Sequence, residues 1–387
     1  MANIKKVKLK KIENSDKKES KSSQREIEIK ELTERIAKTK YNKKTQAAIG
    51  QYKARLAVLK NKEETRRSSG VERSKHGWSV RKSGDATVVL LGFPSVGKSS
   101  LLNVITNADS RVGSFAFTTL TCIPGDLEYK GAKIQILDMP GIVKGAAAGT
   151  GKGKEVLQVI RNADLIIMLI DVFYPEHLKI LEQEIFDTHV RINQKRPDVK
   201  IKKTARGGIH IGRTVPSNDL TDETIKGIMK ELNLANAEVL IRTEIDADQL
   251  IDMIEENRVY LRAIKVLTKI DLVPLKELKK VKKIINPDIC VSASKKINIE
   301  DLKKLIFDSL EFMPVFCKEA GKKADLKEPL ILRKGNSIED MCNRLHKDFA
   351  KKFKFARVWG KSAKFPAQKL HLKHKLCEGD VVEIHIS

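Results

Sequence analysis

Lys98 and Ser99 close the run Gly92-Phe-Pro-Ser-Val-Gly-Lys-Ser99, in which a lysine and a hydroxyl follow the second of two glycines. Residue types in that order suit phosphate chemistry. A loop with no Cβ at its two tightest points lets successive backbone N–H groups turn inward on phosphate oxygens. The helix that follows adds the positive end of its dipole. The lysine supplies a mobile charge for the outer phosphates, and the serine hydroxyl is a hard ligand for Mg²⁺. Gly92, Pro94, Ser95, Val96, Gly97, Lys98, Ser99 and Ser100 are the candidates for this cradle.

Two further turns complete the chemistry. In Asp138-Met-Pro-Gly141 the carboxylate can hold the same cation opposite Ser99, usually through water. The Gly141 amide can reach the terminal phosphate, where any side chain would block the approach. Farther along, Thr268-Lys-Ile-Asp271 offers a carboxylate that can accept from N1–H and the 2-amino group of guanine. Adenine cannot make those two donations, so a site that leaves the carboxylate unpaired penalises it. Lys269 can lie along the base, Thr268 stands where asparagine is more usual, and Ser292-Ala293 can present the Ala293 amide to the guanine oxygen.

Groups so far apart in sequence need elements that deliver them to one rim. Alternating strands and helices do this: a strand at Thr87–Gly92, a helix at Lys98–Thr106, and strands at Leu127–Tyr129, Lys133–Leu137, Leu165–Val172 and Tyr260–Leu267. The turns of interest follow strand ends, the signature of a parallel sheet covered by helices. Gly145–Lys154 imitates a phosphate loop, but no strand precedes it and Gly153 stands where a hydroxyl is needed, so it reads as a glycine-rich switch.

Before the first strand, residues 1–23 are polar and lysine-rich and read as a disordered tail. Over 24–84, Ile27, Leu32, Ile36, Ile49, Tyr52, Leu56 and Leu59 recur at helical spacing. They predict a basic hairpin whose second helix is capped by Asn42 or Thr45, followed by a linker in which Trp78 anchors onto the next domain. A family resemblance carried by the motifs of the chain implies the division of the rest, into a core over 85–174 and 259–311, an insert over 175–258 and a terminal domain over 312–387. In the insert, Glu176–Asn193 reads as helix, Val199–Ile211 as basic strand, Asp222–Leu232 and Asp246–Glu256 as helices, and Ala237–Ile241 as strand. The terminal domain reads as strands around one helix, Ser337–Ala350.

The net charge of +25 on 387 residues is unevenly spread. Residues 1–85 hold 25 Lys/Arg against 11 Asp/Glu, residues 86–311 hold 33 against 30, and residues 312–387 hold 17 against 9. A nearly neutral middle between basic ends suits a switching module carried to a polyanion, with RNA or the ribosome the expected partner. No apolar run reaches membrane-spanning length, and the lysine-rich start lacks the apolar core of a signal peptide. The five cysteines, with no C-x-x-C pair, read as free thiols of a reducing, cytoplasmic compartment.

GFPSVGKSS, FTTLTCIPG, KIQILDMPGIVKGAAAG, GGIHI, NRVY, TKID and VSAS, in this order, resemble the developmentally regulated GTP-binding proteins of the Obg superfamily. The resemblance runs from about Glu31 to the end. It implies an α/β, Ras-like P-loop GTPase core with an N-terminal helical hairpin, an inserted small α+β domain and a C-terminal β-grasp (TGS) domain. It further implies GTP and GDP as ligands, Mg²⁺ at Ser99, Thr119 and Asp138, catalytic roles for Lys98, Thr119 and Gly141, and a stabilising protein partner. Thr118, adjacent to Thr119, is the alternative switch-one ligand. Ile142 stands where Ras-like enzymes place a water-positioning glutamine, so slow intrinsic turnover is expected. Ser95 replaces the asparagine of potassium-activated relatives and leaves K⁺ stimulation open. A second function compatible with the sequence is an RNA- or ribosome-binding adaptor in which nucleotide serves mainly as structure; a third is an ATPase, against which Asp271 in T-K-x-D argues.

Overall fold

The computed structural model describes residues 24–69, 84–106, 123–139, 159–216 and 220–386, apart from positions 26, 41, 43 and 44. These residues form two compact units. One joins the described residues before position 70 to Lys195–Arg258; the other joins the described residues of 84–194 to those of 259–386.

The first described elements are two helices, α1 over 27–38 and α2 over Gln46–Ser69. Between them Asn42 Oδ1 accepts the Thr45 N–H at 3.0 Å, and Thr45 Oγ1 accepts the Asn42 N–H at 3.1 Å. Each of the two capping candidates therefore satisfies the other. Leu32, Ile49 and Leu59 are buried as their spacing predicts, whereas Ile27 is 55% exposed.

The second unit is built on a sheet whose strands are β1 (Ala86–Leu91), β2 (Ile123–Tyr129), β3 (Ala132–Asp138), β4 (Leu165–Asp171) and β5 (Val190–Ile192), joined later in the chain by two more. Helix α3 (Lys98–Ile105) follows β1, and α4 (His177–Asp187) lies between β4 and β5. The expected helix Glu176–Asn193 thus stops early. His189 takes a left-handed backbone (φ 66°), which ends the helix and turns the chain into β5. This stretch joins the sheet, and the compact part of the insert starts only at Lys195.

The insert contributes β6 (Val199–Lys203), β7 (Ile209–Arg213), α5 (Asp222–Glu231), β8 (Ala237–Ile241) and α6 (Ala247–Glu255). The strand-like stretch Val199–Ile211 holds two strands separated by a turn with Gly207 and Gly208, with β8 central in the order β6-β8-β7. Ile225, Ile228, Met229, Val239, Ile241 and Leu250 form its core, and Ala54 of α2 is buried in the same cluster. Lys53 Nζ meets Asp248 Oδ2 at 2.6 Å, and Asn61 Nδ2 meets Glu255 Oε1 at 2.5 Å. The basic hairpin is therefore part of the insert's fold.

Strand β9 (Val259–Thr268) returns to the large sheet and is followed by α7 (Leu275–Ile285), β10 (Ile289–Cys290) and α8 (Ile299–Ser309). The order is β10-β9-β4-β1-β3-β2, with β5 also on β9; every pairing is parallel except β2 with β3. Both faces are covered, which explains why β1 and β4 are continuous apolar runs: Val88 and Leu90 enter one core, Val89 and Leu91 the other.

The C-terminal domain consists of β11 (Phe312–Cys317), β12 (Leu330–Arg333), α9 (Ile338–Leu345), α10 (Lys347–Lys351), β13 (Phe353–Trp359), β14 (Gln368–Leu370) and β15 (Val381–Ile386), in the sheet order β12-β11-β15-β13-β14. The predicted helix Ser337–Ala350 divides at His346, whose extended backbone (φ −161°) interrupts it. The His346 Nδ1 accepts the Asp348 N–H at 3.2 Å and caps the second piece. Phe312 and Ile331 are buried in the core beneath the large sheet, and Arg333 reaches Asp164 at 2.6 Å, at the amino end of β4.

Candidate functional site

Parallel pairing brings the carboxyl ends of β1, β3, β4, β9 and β10 to one rim: Leu90 is opposite Asp138, Leu91 opposite Met168, Asp171 opposite Thr268, and Leu267 opposite Cys290. At the end of β1 the chain enters a tight loop. A Cβ on Gly92 would lie 2.9 Å from Val96 Cγ1 and 3.0 Å from the Leu169 carbonyl oxygen. Gly97 has φ +98°, a conformation open to glycine and costly for other residues. Ser95 also has a left-handed backbone (φ 62°), and α3 starts at Lys98.

Lys98 is buried, and its Nζ donates to the carbonyls of Phe93 at 3.1 Å and Gly92 at 3.3 Å. Burial pushes its pKa down, and the Asp138 charge opposes the shift. Ser99 Oγ donates to Asp138 Oδ2 at 2.6 Å, so the two proposed cation ligands meet directly. Asp138 is 6% exposed, and its Oδ1 is buried with no hydrogen-bond partner among the described residues. A hydroxyl and a half-satisfied buried carboxylate are hard oxygen donors of the kind Mg²⁺ takes, so these residues fit the ion.

The segment Thr268-Lys-Ile-Asp271, expected to read a base, is tied to the same rim. Thr268 Oγ1 lies 3.0 Å from the Val96 carbonyl in the loop and 3.1 Å from the Ile170 carbonyl in β4. Threonine at this position thus links the loop to two strands, a role its type alone did not reveal. Lys269, with φ 58°, extends its Nζ to Asp171 Oδ2 at 2.7 Å. Asp271 Oδ2 accepts from Ser294 Oγ at 3.1 Å. Hydrogen bonds from Ser292, from its own backbone and from Ser294, with Lys295 nearby, hold the Asp271 carboxyl below its usual range. Ser292 is fully buried, and its Oγ accepts the Lys295 N–H at 3.1 Å, fixing the turn that carries Ala293.

Thr118, Thr119, Gly141, Ile142, Gly145–Lys154, Cys122 and Trp78 lie outside the described residues. Two contributors escaped the sequence reading. Asp171 was visible as the sole acid ending an apolar strand, a signal that marks it as paired. The stack of Phe93 on His177, with centroids 3.9 Å apart, joins residues 84 positions apart and left no local trace.

A family model described as a 50S ribosome-binding GTPase matches residues 87–203, a model of the C-terminal region of that domain matches 206–312, and a TGS domain model matches 315–386. A GTP-binding protein of Methanocaldococcus jannaschii is 48% identical over 93% of each chain. Human developmentally-regulated GTP-binding protein 2 is 40% identical over 92% of this chain and 98% of its own. The chain belongs to the developmentally regulated GTP-binding protein family. Another relative at 40% identity, over 92% of this chain and 97% of its own, is guanylate binding protein 128up of Drosophila melanogaster. Among solved structures, the YchF GTPase of Schizosaccharomyces pombe aligns over 79% of this chain and 99% of that one, with TM-score 0.42 at 12% identity, a likeness too slight to carry weight. A GTPase core followed by a TGS domain is thus the fold of this family member. Among the described residues no helix is long and apolar enough to cross a membrane.

Proposed function

We propose that this protein is a Mg²⁺-dependent GTPase with slow intrinsic turnover that acts as a nucleotide switch on ribosomal or structured RNA in the cytoplasm. The observation that carries the reading is the rim itself, where the Ser99–Asp138 pair, the buried Lys98 and the anchored Thr268-Lys-Ile-Asp271 segment share one set of strand ends. Ser99 and Asp138, with Thr119, would hold the ion, which when bound neutralises charge on the outer phosphates. Lys98 would exchange its two loop carbonyls for phosphate oxygens, and loop amides from Gly92 to Ser100 would complete the cradle. Asp271, kept ionised by its hydrogen bonds, would accept from guanine while Lys269 flanks the base and Ala293 meets its oxygen. Gly141 would contact the terminal phosphate. With Ile142 beside it unable to orient water, turnover should depend on backbone groups, an ion or a partner.

Purified protein should turn over GTP and leave ATP nearly untouched, and Lys98→Ala should abolish turnover. Asp271→Asn should weaken GTP binding and favour xanthosine triphosphate, whose base offers the amide a complementary edge. Equal use of GTP and ATP, or an indifferent Lys98→Ala, overturns the assignment. Rates in KCl against NaCl decide the role of Ser95. Co-sedimentation with ribosomes in GTP-analogue and GDP states separates a switch from an adaptor: no nucleotide dependence favours the adaptor.

A further inference from the structure

Between Asp348 and Glu378 the chain holds nine lysines and arginines and no aspartate or glutamate. This stretch contains β13, its antiparallel partner β14 and the loop between them. Ala356 and Val358 of β13 enter the domain core, so Phe355, Arg357 and Trp359 stand on the opposite face. There Arg357 lies opposite Lys369 of β14 and Glu383 of β15. Lys369 Nζ is 4.9 Å from the Phe355 ring centre, and Lys318 Nζ is 4.5 Å from that of Trp359. Glu383, the acid on this face, is 2% exposed and pairs with Lys318, with His385 Nε2 at 2.7 Å and with Arg357 at 3.7 Å. Its charge is spent inside the sheet, and the lysines set the field outside.

The joining loop, residues 360–367, adds Lys361, Lys364 and Phe365, all exposed, the last by 59%. The loop is held in place. Fully buried Asp380 accepts the Ser362 N–H at 3.3 Å and the Cys377 N–H at 2.7 Å, while the Lys364 N–H donates to Gln368 Oε1 at 2.7 Å. A phenyl ring kept in water by a pinned loop adds little to the fold, and its area is available to a partner.

We propose that the β13–β14 ribbon binds single-stranded RNA, with phosphates along Lys361, Lys364 and Lys369 and an unpaired base stacked on Phe365. This rests on the reading that the protein contacts RNA, and adds to it the surface and the strandedness of the target. Cations spaced along a ribbon follow a phosphate backbone, and an exposed ring rewards a base free to leave its stack. A duplex would engage only the cations, and an acidic peptide would leave the ring idle.

The test is fluorescence anisotropy of full-length protein with a labelled single-stranded RNA of about ten nucleotides, and with the matching duplex, over a salt series. Phe365→Ala should weaken single-strand binding about tenfold and leave duplex binding unchanged. Lys361→Glu with Lys364→Glu should lower the slope of log K against log salt by about 0.7 for each phosphate no longer neutralised. Lys200→Glu with Lys202→Glu, an equal charge change on β6, should have the smaller effect. GTP turnover of every variant should match the parent. Single-strand binding indifferent to Phe365→Ala, an equal loss for the duplex, or an equal loss from the β6 pair overturns the ribbon site. A parent protein that binds no RNA overturns the RNA reading itself.

Discussion

Lys269 is a non-glycine residue in left-handed backbone, a conformation that costs about 1–2 kcal/mol and persists only where the surroundings over-determine it. Two neighbours do so: Thr268 is tied to the loop and β4, and the Lys269 ammonium is tied to buried Asp171. Asp171 Oδ1 also accepts the Phe173 N–H at 3.1 Å, so the carboxylate orients the exit from β4 as well. Asp171→Asn keeps the shape and removes the charge that holds the Lys269 ammonium, the group that in the proposed site would flank the base. A hydrogen bond to a charged group is worth about 1.5–3 kcal/mol, so the GTP dissociation constant should rise by roughly tenfold or more. Nucleotide titration of the variant checks this, and unchanged affinity would show that Lys269 is positioned by something else. Because the Asp271 carboxyl is held below its ordinary value of 3.8, it stays ionised from neutral pH down to that region. Loss of GTP affinity on acidification between pH 7 and 5 should therefore not come from Asp271, and Asp271→Asn should leave the shape of that profile unaltered.

At the scale of elements, the carboxyl end of β9 bears on the phosphate loop through one hydroxyl. Thr268→Val preserves volume and leaves the Val96 and Ile170 carbonyls without that donor, at a cost of about 1–3 kcal/mol. The penalty should appear in thermal melts and, if the loop holds nucleotide as proposed, as weaker binding of GDP and GTP alike. In the TGS sheet, Lys318 just after β11, Arg357 of β13 and His385 of β15 converge on Glu383, whose carboxyl is held low chiefly by hydrogen bonding to Lys318 and then to His385. A depressed carboxylate stabilises the fold fully above its unfolded value, near 4.5, and loses that contribution as pH falls toward the folded value. Glu383→Gln should therefore destabilise at pH 7 by about 1–3 kcal/mol and differ little from the parent in strong acid. Urea melts at several pH values would reveal a pH-independent difference if the pairing is not responsible.

At the scale of the molecule, the hairpin and the insert share a core, and the TGS domain shares one with the large sheet. The first of these means that truncating the basic N-terminal segment would strip apolar cover from α5 and α6, so charge substitutions probe it more cleanly than deletion. Ala54 of α2 is fully buried against the insert. Ala54→Leu should cost about 1–3 kcal/mol by overpacking, read as a lower urea midpoint of the unit formed by hairpin and insert. An unchanged midpoint would mean that the helix can move away without loss.

Local patterning was enough to place the strand–loop–helix around Lys98, the strand ends at Asp138 and Thr268, and the β–α alternation, because phosphate loops and buried parallel strands constrain consecutive residues. It could not place Asp171 beneath Lys269, Thr268 against Val96, or Ala54 inside the insert, because each contact spans a large sequence separation and its partner is chosen by packing. The same limit explains the broken helices at His189 and His346. Helical periodicity continues through both positions, and only the strand that must form next, or the cap that fits there, decides where the turn falls. Spacing along the chain thus determined which chemistry is available; the parallel register and the shared cores decided which side chains hold it in position.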